Sequence, residues 1–345
     1  MDEKNSHVKV GFAFSGASTR SIFYIGFLEV LKENDFPIDF IAALSGATIV
    51  AASYACNSMP QFKNLALQIN KEVVFSLIER SKGKAGLYQL GQFEELIRFY
   101  TKNKNFEDVK PRLAFVATDI VAGEEVVLQV GDLAKAICAS CTLPVVFEPM
   151  HWGNKILVDG GVVNVVPGNV AREANVDLVI GIDLRATRHV FSPWQIFLRK
   201  LVNSIRFILW PRKARIFWQT LTEKIKDSDF WQNHLMMSNL NDKMKDPKIM
   251  TVINRSLDIA IAAQQKSKSK NFDCDLLISP ELTMPFWRKA LFLRFTHFDN
   301  MKDYYQAGRD SALENLPKMW QLLKDKEKEK QDKAQIVKEL FEKNI

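Results

Sequence analysis

A chain of 345 residues can bury a sizeable core, as one large domain with an appendage or as two domains. Apolar residues at 47% and charged residues at 25% exclude an intrinsically disordered chain. The net charge of +7 suits anionic surfaces but is too small a bias to name nucleic acid as the partner.

In chain order, residues 8–15 read as a short buried strand ending in a turn. Residues 21–34 follow with helical spacing, Ile22, Ile25, Leu28 and Leu31 falling on one face. A second strand, entered through Pro37, covers 36–44 and runs straight into Ser45-Gly46; residues 47–54 then read as a small, apolar, buried helix. Strand, helix, strand, helix within the first 55 residues predicts a parallel sheet covered by helices. Further along, 91–101 reads as an amphipathic helix, 112–119 as a strand, 124–129 as an antiparallel strand and 133–141 as a helix. Residues 155–158 and 176–183 read as strands, 250–265 as a helix, and 274–279 as a last short strand. Residues 318–345 predict a charged helix, most simply a solvated one.

The N-terminus lacks the basic and apolar regions of a signal peptide. The apolar stretch 22–31 is too short to span a bilayer. A cytoplasmic protein is the expectation, with no signal peptide or transmembrane segment. Cys56, Cys138, Cys141 and Cys274 are too few for a disulfide framework, and the Cys138–Cys141 spacing has no second pair to complete a metal site. Buried small apolar residues are the expected reading, and no metal or cofactor is expected.

Ser45 stands directly after an apolar strand and directly before an apolar helix, as a nucleophile elbow requires. Such a turn needs small residues two before and two after the serine, and these are Ala43 and Ala47. Gly46 follows at the helix start, where its N–H is available as an oxyanion donor. The same position suits a plain helix N-cap, so this segment alone leaves nucleophile and cap open. Asp159, before Gly160-Gly161, is equally compatible with a turn residue.

Several segments carry a family resemblance. Ser15-Gly-Ala-Ser-Thr-Arg-Ser21, followed by Tyr24-Ile-Gly-Phe-Leu, resembles the glycine-rich oxyanion loop and first helix of patatin-like phospholipases. The stretch Leu157-Val-Asp-Gly-Gly-Val-Val-Asn-Val-Val-Pro167 resembles their Asp-Gly motif with its trailing Asn and Pro. Val116-Ala-Thr-Asp-Ile and Ala139-Ser-Cys-Thr-Leu-Pro resemble two linking signatures, in the family's order. The likeness covers about residues 8–185 and resumes weakly at 252–312, through Arg255-Ser-Leu-Asp-Ile and Asp303-Tyr-Tyr-Gln-Ala-Gly308.

The resemblance implies a three-layer α/β/α fold with a mainly parallel central sheet and a helical C-terminal extension. It also implies a lipid acyl ester hydrolase of phospholipase A or lysophospholipase type, with Ser45 as nucleophile and Asp159 as its base, without an intervening histidine. The backbone of Gly16, Ala17 and Ser18 matches the oxyanion loop, with Arg20 its basic member; Gly160 and Gly161 let the chain approach Asp159 closely. A free aspartate titrates near 3.9, so burial must raise its basicity; Leu157, Val158, Val162 and Val163 are the candidate apolar shell. The loop departs from the family's glycines at Ala17, Ser18 and Ser21, and a positive φ at any of these would strain it. That departure keeps open an alternative, a catalytically weak protein of the same fold that binds lipid surfaces.

The implied organisation is a catalytic core over 8–185, a basic aromatic helical insertion or cap over 186–250, the remainder of the domain over 251–316 and a charged C-terminal helix over 317–345. Residues 185–221 hold eight Lys/Arg, no acid and seven Phe/Trp rings. Trp194, Arg199, Lys200, Arg206, Trp210, Arg212, Lys213 and Arg215 are the candidate anionic-membrane patch, which would make the protein peripheral. A core-packed insertion with a solvated basic face is equally compatible with the spacing. No nucleic-acid module accompanies the patch, so no nucleic-acid partner is expected.

Overall fold

The computed structural model describes residues 7–83, 85–184, 272–282 and 300–342, with scattered positions between 249 and 260. The basic aromatic segment, with Trp194, Arg199, Lys200, Arg206, Trp210, Arg212, Lys213 and Arg215, lies outside the described residues, as does most of the helix read over 250–265. All the described residues belong to one compact unit.

The central sheet is built on three runs buried on both faces: β1 (Val10–Phe14), β2 (Phe40–Leu44) and β10 (Leu178–Ile182). Unbroken apolar runs of this kind suit a parallel sheet covered on both sides. The sheet also contains β5 (Arg112–Asp119), β6 (Glu124–Leu128), β8 (Met150–Trp152), β9 (Lys155–Asp159) and β11 (Leu276–Ile278). The strand order is β11-β10-β1-β2-β5-β9-β8, with β6 paired to β5. The links from β11 through β5 are parallel, while β6, β8 and β9 pair antiparallel.

Alternation along β1 and β2 divides the core between two faces. Phe12, Phe14, Ile41 and Ala43 pack with α1 (Phe23–Glu33), α2 (Gly46–Ala55) and the C-terminal helix (Met301–Glu342). Ala13, Phe40, Ala42 and Leu44 face the opposite layer, where α7 (Gly168–Glu173) supplies Val170 and Ala171. The result is the expected three-layer α/β/α arrangement with a mainly parallel sheet.

The C-terminal helix differs from its expected boundary at 316/317. It is one element of 42 residues with Pro317 inside it. Proline removes one helical N–H and costs about 3 kcal/mol in a helix interior. Met301, Tyr304 and Ala312 before it and Met319 and Leu323 after it are all buried on the same core, and that packing offsets the cost.

Residues 56–90 are more structured than the sequence pattern indicated. They form α3 (Met59–Gln68), α4 (Lys71–Ser76), β3 (Glu79–Arg80) and β4 (Gly86–Gln89), and β4 pairs with β7 (Val145–Phe147) in a second, three-stranded sheet. Elements this short and this exposed give little periodicity to read.

The register of β5 fixes the site. Residues 115–116 of β5 pair with both β2 and β6, and residues 117–119 pair with both β6 and β9. A strand has two edges, so β2 and β9 occupy the same one in succession. Leu44 of β2 lies opposite Val116, and Asp159 of β9 lies opposite the next residue, Ala117. The residue after Leu44 is Ser45. The sheet therefore brings residues 45 and 159 to one point.

α1 and the C-terminal helix approach through glycines. A Cβ on Gly308 would stand 2.0 Å from the Phe23 carbonyl oxygen, and one on Gly26 would stand 2.2 Å from that of Tyr305. Backbone cannot yield as a side-chain tip can. Gly308→Ala is expected to lower stability by about 1–3 kcal/mol in thermal unfolding. Gly91→Ala, whose Cβ meets nothing within 4 Å, is expected to leave the midpoint unchanged or slightly raised.

Candidate active site

Ser45 joins β2 to α2 with φ 54° and ψ −140°, a backbone region that costs a non-glycine residue about 1–3 kcal/mol. Ala43 and Ala47 are fully buried and neither has a positive φ, so the strain rests on the serine. The Ser45 side chain makes no helix-cap hydrogen bond, and Ser45 and Asp159 line the same cavity. The N-cap alternative therefore does not hold. The backbone of Ser45 is held on both sides: its N–H donates to Ser140 Oγ at 2.8 Å, and its carbonyl accepts from Thr48 N–H at 2.9 Å and Thr48 Oγ1 at 2.6 Å.

Asp159 ends β9, 4% exposed. Its Oδ1 accepts the Gly161 N–H at 2.7 Å, so it also serves the turn that follows. Its own N–H donates to the Thr142 carbonyl at 2.8 Å, and its carbonyl accepts Thr118 Oγ1 at 2.9 Å. Burial pushes the Asp159 carboxyl up to about 6, against the opposing pull of the Ser45 hydroxyl and the Gly161 N–H. Of the expected apolar shell, Leu157 and Val158 are fully buried, whereas Val162 and Val163 are half-buried.

Glycines fit the loops together. A Cβ on Gly160 would stand 2.2 Å from the Val116 carbonyl oxygen. A Cβ on Gly16 would stand 2.5 Å from Leu44 Cδ1 and 3.0 Å from Ser45 Cβ, so the loop at 16–18 lies directly on the elbow. Gly46 faces the same loop, where a Cβ would meet Ser21 Oγ at 2.8 Å and the Ser18 carbonyl at 3.0 Å. As the first residue of α2, Gly46 has an N–H with no intrahelical acceptor. Arg20 donates to the Leu184 carbonyl at 2.7 Å, and Leu184 N–H donates to Ser15 Oγ at 2.9 Å, which ties the loop to the end of β10.

Of the three loop positions where glycine is usual, Ser18 alone adopts a positive φ, at 51°. Ala17 has φ −144° and carries no such strain.

These residues open into a cavity of about 320 Å³, lined by Ser18, Ser45, Gly46 and Asp159 at one end and by an apolar wall. Phe62, Leu65, Ala66 and Ile69 from α3 and its C-terminal end, Val74 of α4 and Tyr88 of β4 contribute part of that wall. This is the segment the sequence pattern left unread. Cys141 also lines the cavity, with burial raising its thiol; Cys138, likewise raised, is buried beside it on α6 (Leu133–Cys141). Among the described residues no histidine lines the cavity, and no helix is long and apolar enough to cross a membrane.

The family described as patatin-like phospholipase matches residues 12–172, a span that contains the elbow, the loop and Asp159. Residues 12–172 carry a patatin-like phospholipase domain. That match supports a lipid hydrolase in general terms. An uncharacterized NTE family protein of Mycobacterium tuberculosis is 25% identical over 305 residues, 79% of this chain and 84% of its own. Patatin-like phospholipase domain-containing protein 6 of Mus musculus is 26% identical over 181 residues, 51% of this chain and 13% of its own. The crystal structure of VipD from Legionella pneumophila aligns over 91% of this chain and 67% of that one, at a TM-score of 0.41 and 12% identity.

The loop geometry separates two substitutions. Ser18→Gly removes the left-handed penalty and is expected to stabilise by about 1 kcal/mol. Ala17→Gly only adds freedom to the unfolded chain and is expected to cost about 0.5–1 kcal/mol. Thermal unfolding midpoints moving in opposite directions is the expected result.

Proposed function

We propose that this protein is a serine acyl hydrolase of lipid carboxylic esters, of phospholipase A or lysophospholipase type. One observation carries the reading: a strained elbow serine and a buried carboxylate whose basicity is raised line the same apolar cavity. In the proposed reaction Ser45 Oγ attacks the ester carbonyl carbon and its proton passes to Asp159. The developing oxyanion is held by the N–H groups of the 16–18 loop and Gly46. Collapse breaks the ester bond, and the leaving alcohol takes the proton from Asp159. Water then attacks the acyl-enzyme with Asp159 again receiving a proton, the fatty acid departs, and Ser45 recovers its hydrogen. No metal has a role in this sequence. The apolar wall suits an acyl chain.

Ser45→Ala and Asp159→Asn are each expected to abolish hydrolysis of phospholipids and lysophospholipids while the fold survives. A base must be ionised, so kcat/KM is expected to rise with pH through about 6, the value of the Asp159 carboxyl, and to fall about tenfold per unit below it. Full activity in either variant removes that residue from the mechanism. A flat profile between pH 4 and 7 removes Asp159 as the base.

We also propose that the basic aromatic segment binds anionic bilayers. Its support is composition: eight cations, seven large rings and no acid between 185 and 221. Each Lys or Arg near such a surface contributes about 1 kcal/mol. Vesicle sedimentation is expected to give salt-sensitive binding to anionic vesicles, reduced when Arg199, Lys200, Arg212 and Lys213 are changed to Glu. Turnover of a soluble short-chain ester is expected to change little in that variant. Equal binding to neutral and anionic vesicles assigns the segment to packing instead.

A further inference from the structure

The C-terminal end of α6 reaches both members of the Ser45–Asp159 pair. Ser140 Oγ accepts the Ser45 N–H at 2.8 Å, and two residues on, the Thr142 carbonyl accepts the Asp159 N–H at 2.8 Å. Ser140 is fully buried, and its hydroxyl also donates to the Val116 carbonyl at 2.6 Å. A serine inside a helix ordinarily bonds back to a carbonyl of its own helix or points to solvent. This one does neither. It bridges the strand residue opposite Leu44 to the amide of the elbow.

We propose that Ser140 is a positioning residue for the nucleophile. Its hydroxyl holds the Ser45 amide in the strained elbow, and through the Thr142 carbonyl the same turn holds the backbone of Asp159. The proposal rests on the reading of Ser45 as nucleophile. The elbow backbone of Ser45 is costly, and it persists only where its surroundings fix it. The Thr48 bonds fix the carbonyl side, whereas Ser140 is the acceptor recorded for the amide side. Without that hydroxyl the Ser45 N–H is buried without an acceptor, and the peptide rotates to find another partner. The side-chain oxygen then moves relative to Asp159. Ser140 lies in the Ala139–Phe147 stretch that resembles a family signature and to which the proposed reaction assigns no part.

The test uses the full-length protein, a soluble short-chain ester, a fluorophosphonate probe and amide exchange at Ser45. In Ser140→Ala, kcat and the labelling rate are expected to fall about 100-fold with KM within about twofold, because a displacement near 1 Å is enough for such a loss. Exchange of the Ser45 amide is expected to quicken. Ser140→Thr, which keeps the hydroxyl, is expected to recover most of kcat. Should Ser140→Ala not fold, Ser140→Cys, close in volume but a weak acceptor, is expected to show the same loss. A folded Ser140→Ala or Ser140→Cys protein with wild-type kcat overturns the proposal, as does a kcat loss with unchanged Ser45 amide exchange. Ser45→Ala separates the two readings. If it is inactive while Ser140→Ala is fully active, only the positioning role falls; if it keeps activity and labelling, the nucleophile falls and the positioning role with it.

Discussion

On one edge of β5, the parallel strand β2 gives way to the antiparallel strand β9 between Val116 and Ala117, and the whole site depends on that exchange. Two strands sharing one edge must meet end to end. The chain leaving β2 has to turn out of the sheet at once, which makes residue 45 an elbow. The chain arriving along β9 ends with residue 159 at the same level. The meeting of Ser45 and Asp159 follows from strand register, and the 113 intervening residues are folded so as to permit it.

Strain and its supports are close together. The positive φ of Ser45 is opposed by Thr48 on one side and Ser140 on the other, both reaching the backbone with side-chain hydroxyls. Gly16 and Gly160 allow contacts that a single methyl group would block. Burial works in the same direction on the chemistry. The shell that leaves Asp159 4% exposed makes its ionised form costly, and so raises its basicity.

The loop substitutions bear differently on this arrangement than the sequence suggested. Loss of glycine at 17 has no backbone consequence, since Ala17 lies at φ −144°. Loss of glycine at 18 does, since Ser18 is left-handed. The question of weakened catalysis thus narrows from three positions to Ser18.

Much of this was legible in the sequence because it depends on local pattern. Apolar runs of five residues announce buried strands, and a serine between an apolar strand and an apolar helix announces an elbow. The Asp-Gly-Gly stretch and the loop at 15–21 marked the rest of the site through family likeness. The cavity wall at 59–88 was not legible. Its helices and strands are short and half-exposed, so neither period 2 nor period 3.6 emerges. The boundary expected at 316/317 is absent, because burial of Met319 and Leu323 outweighs the hydrogen bond missing at Pro317. Ser140 stood in a recognised stretch with no sign of its partner, for its hydrogen bond crosses 95 residues. Sequence alone singled out Ser45 and Asp159 as candidates, since residue type, neighbours and family likeness set that. Only the tertiary structure decided that they meet, because contact between residues 45, 140 and 159 is a matter of sheet register and helix packing, which no local pattern encodes.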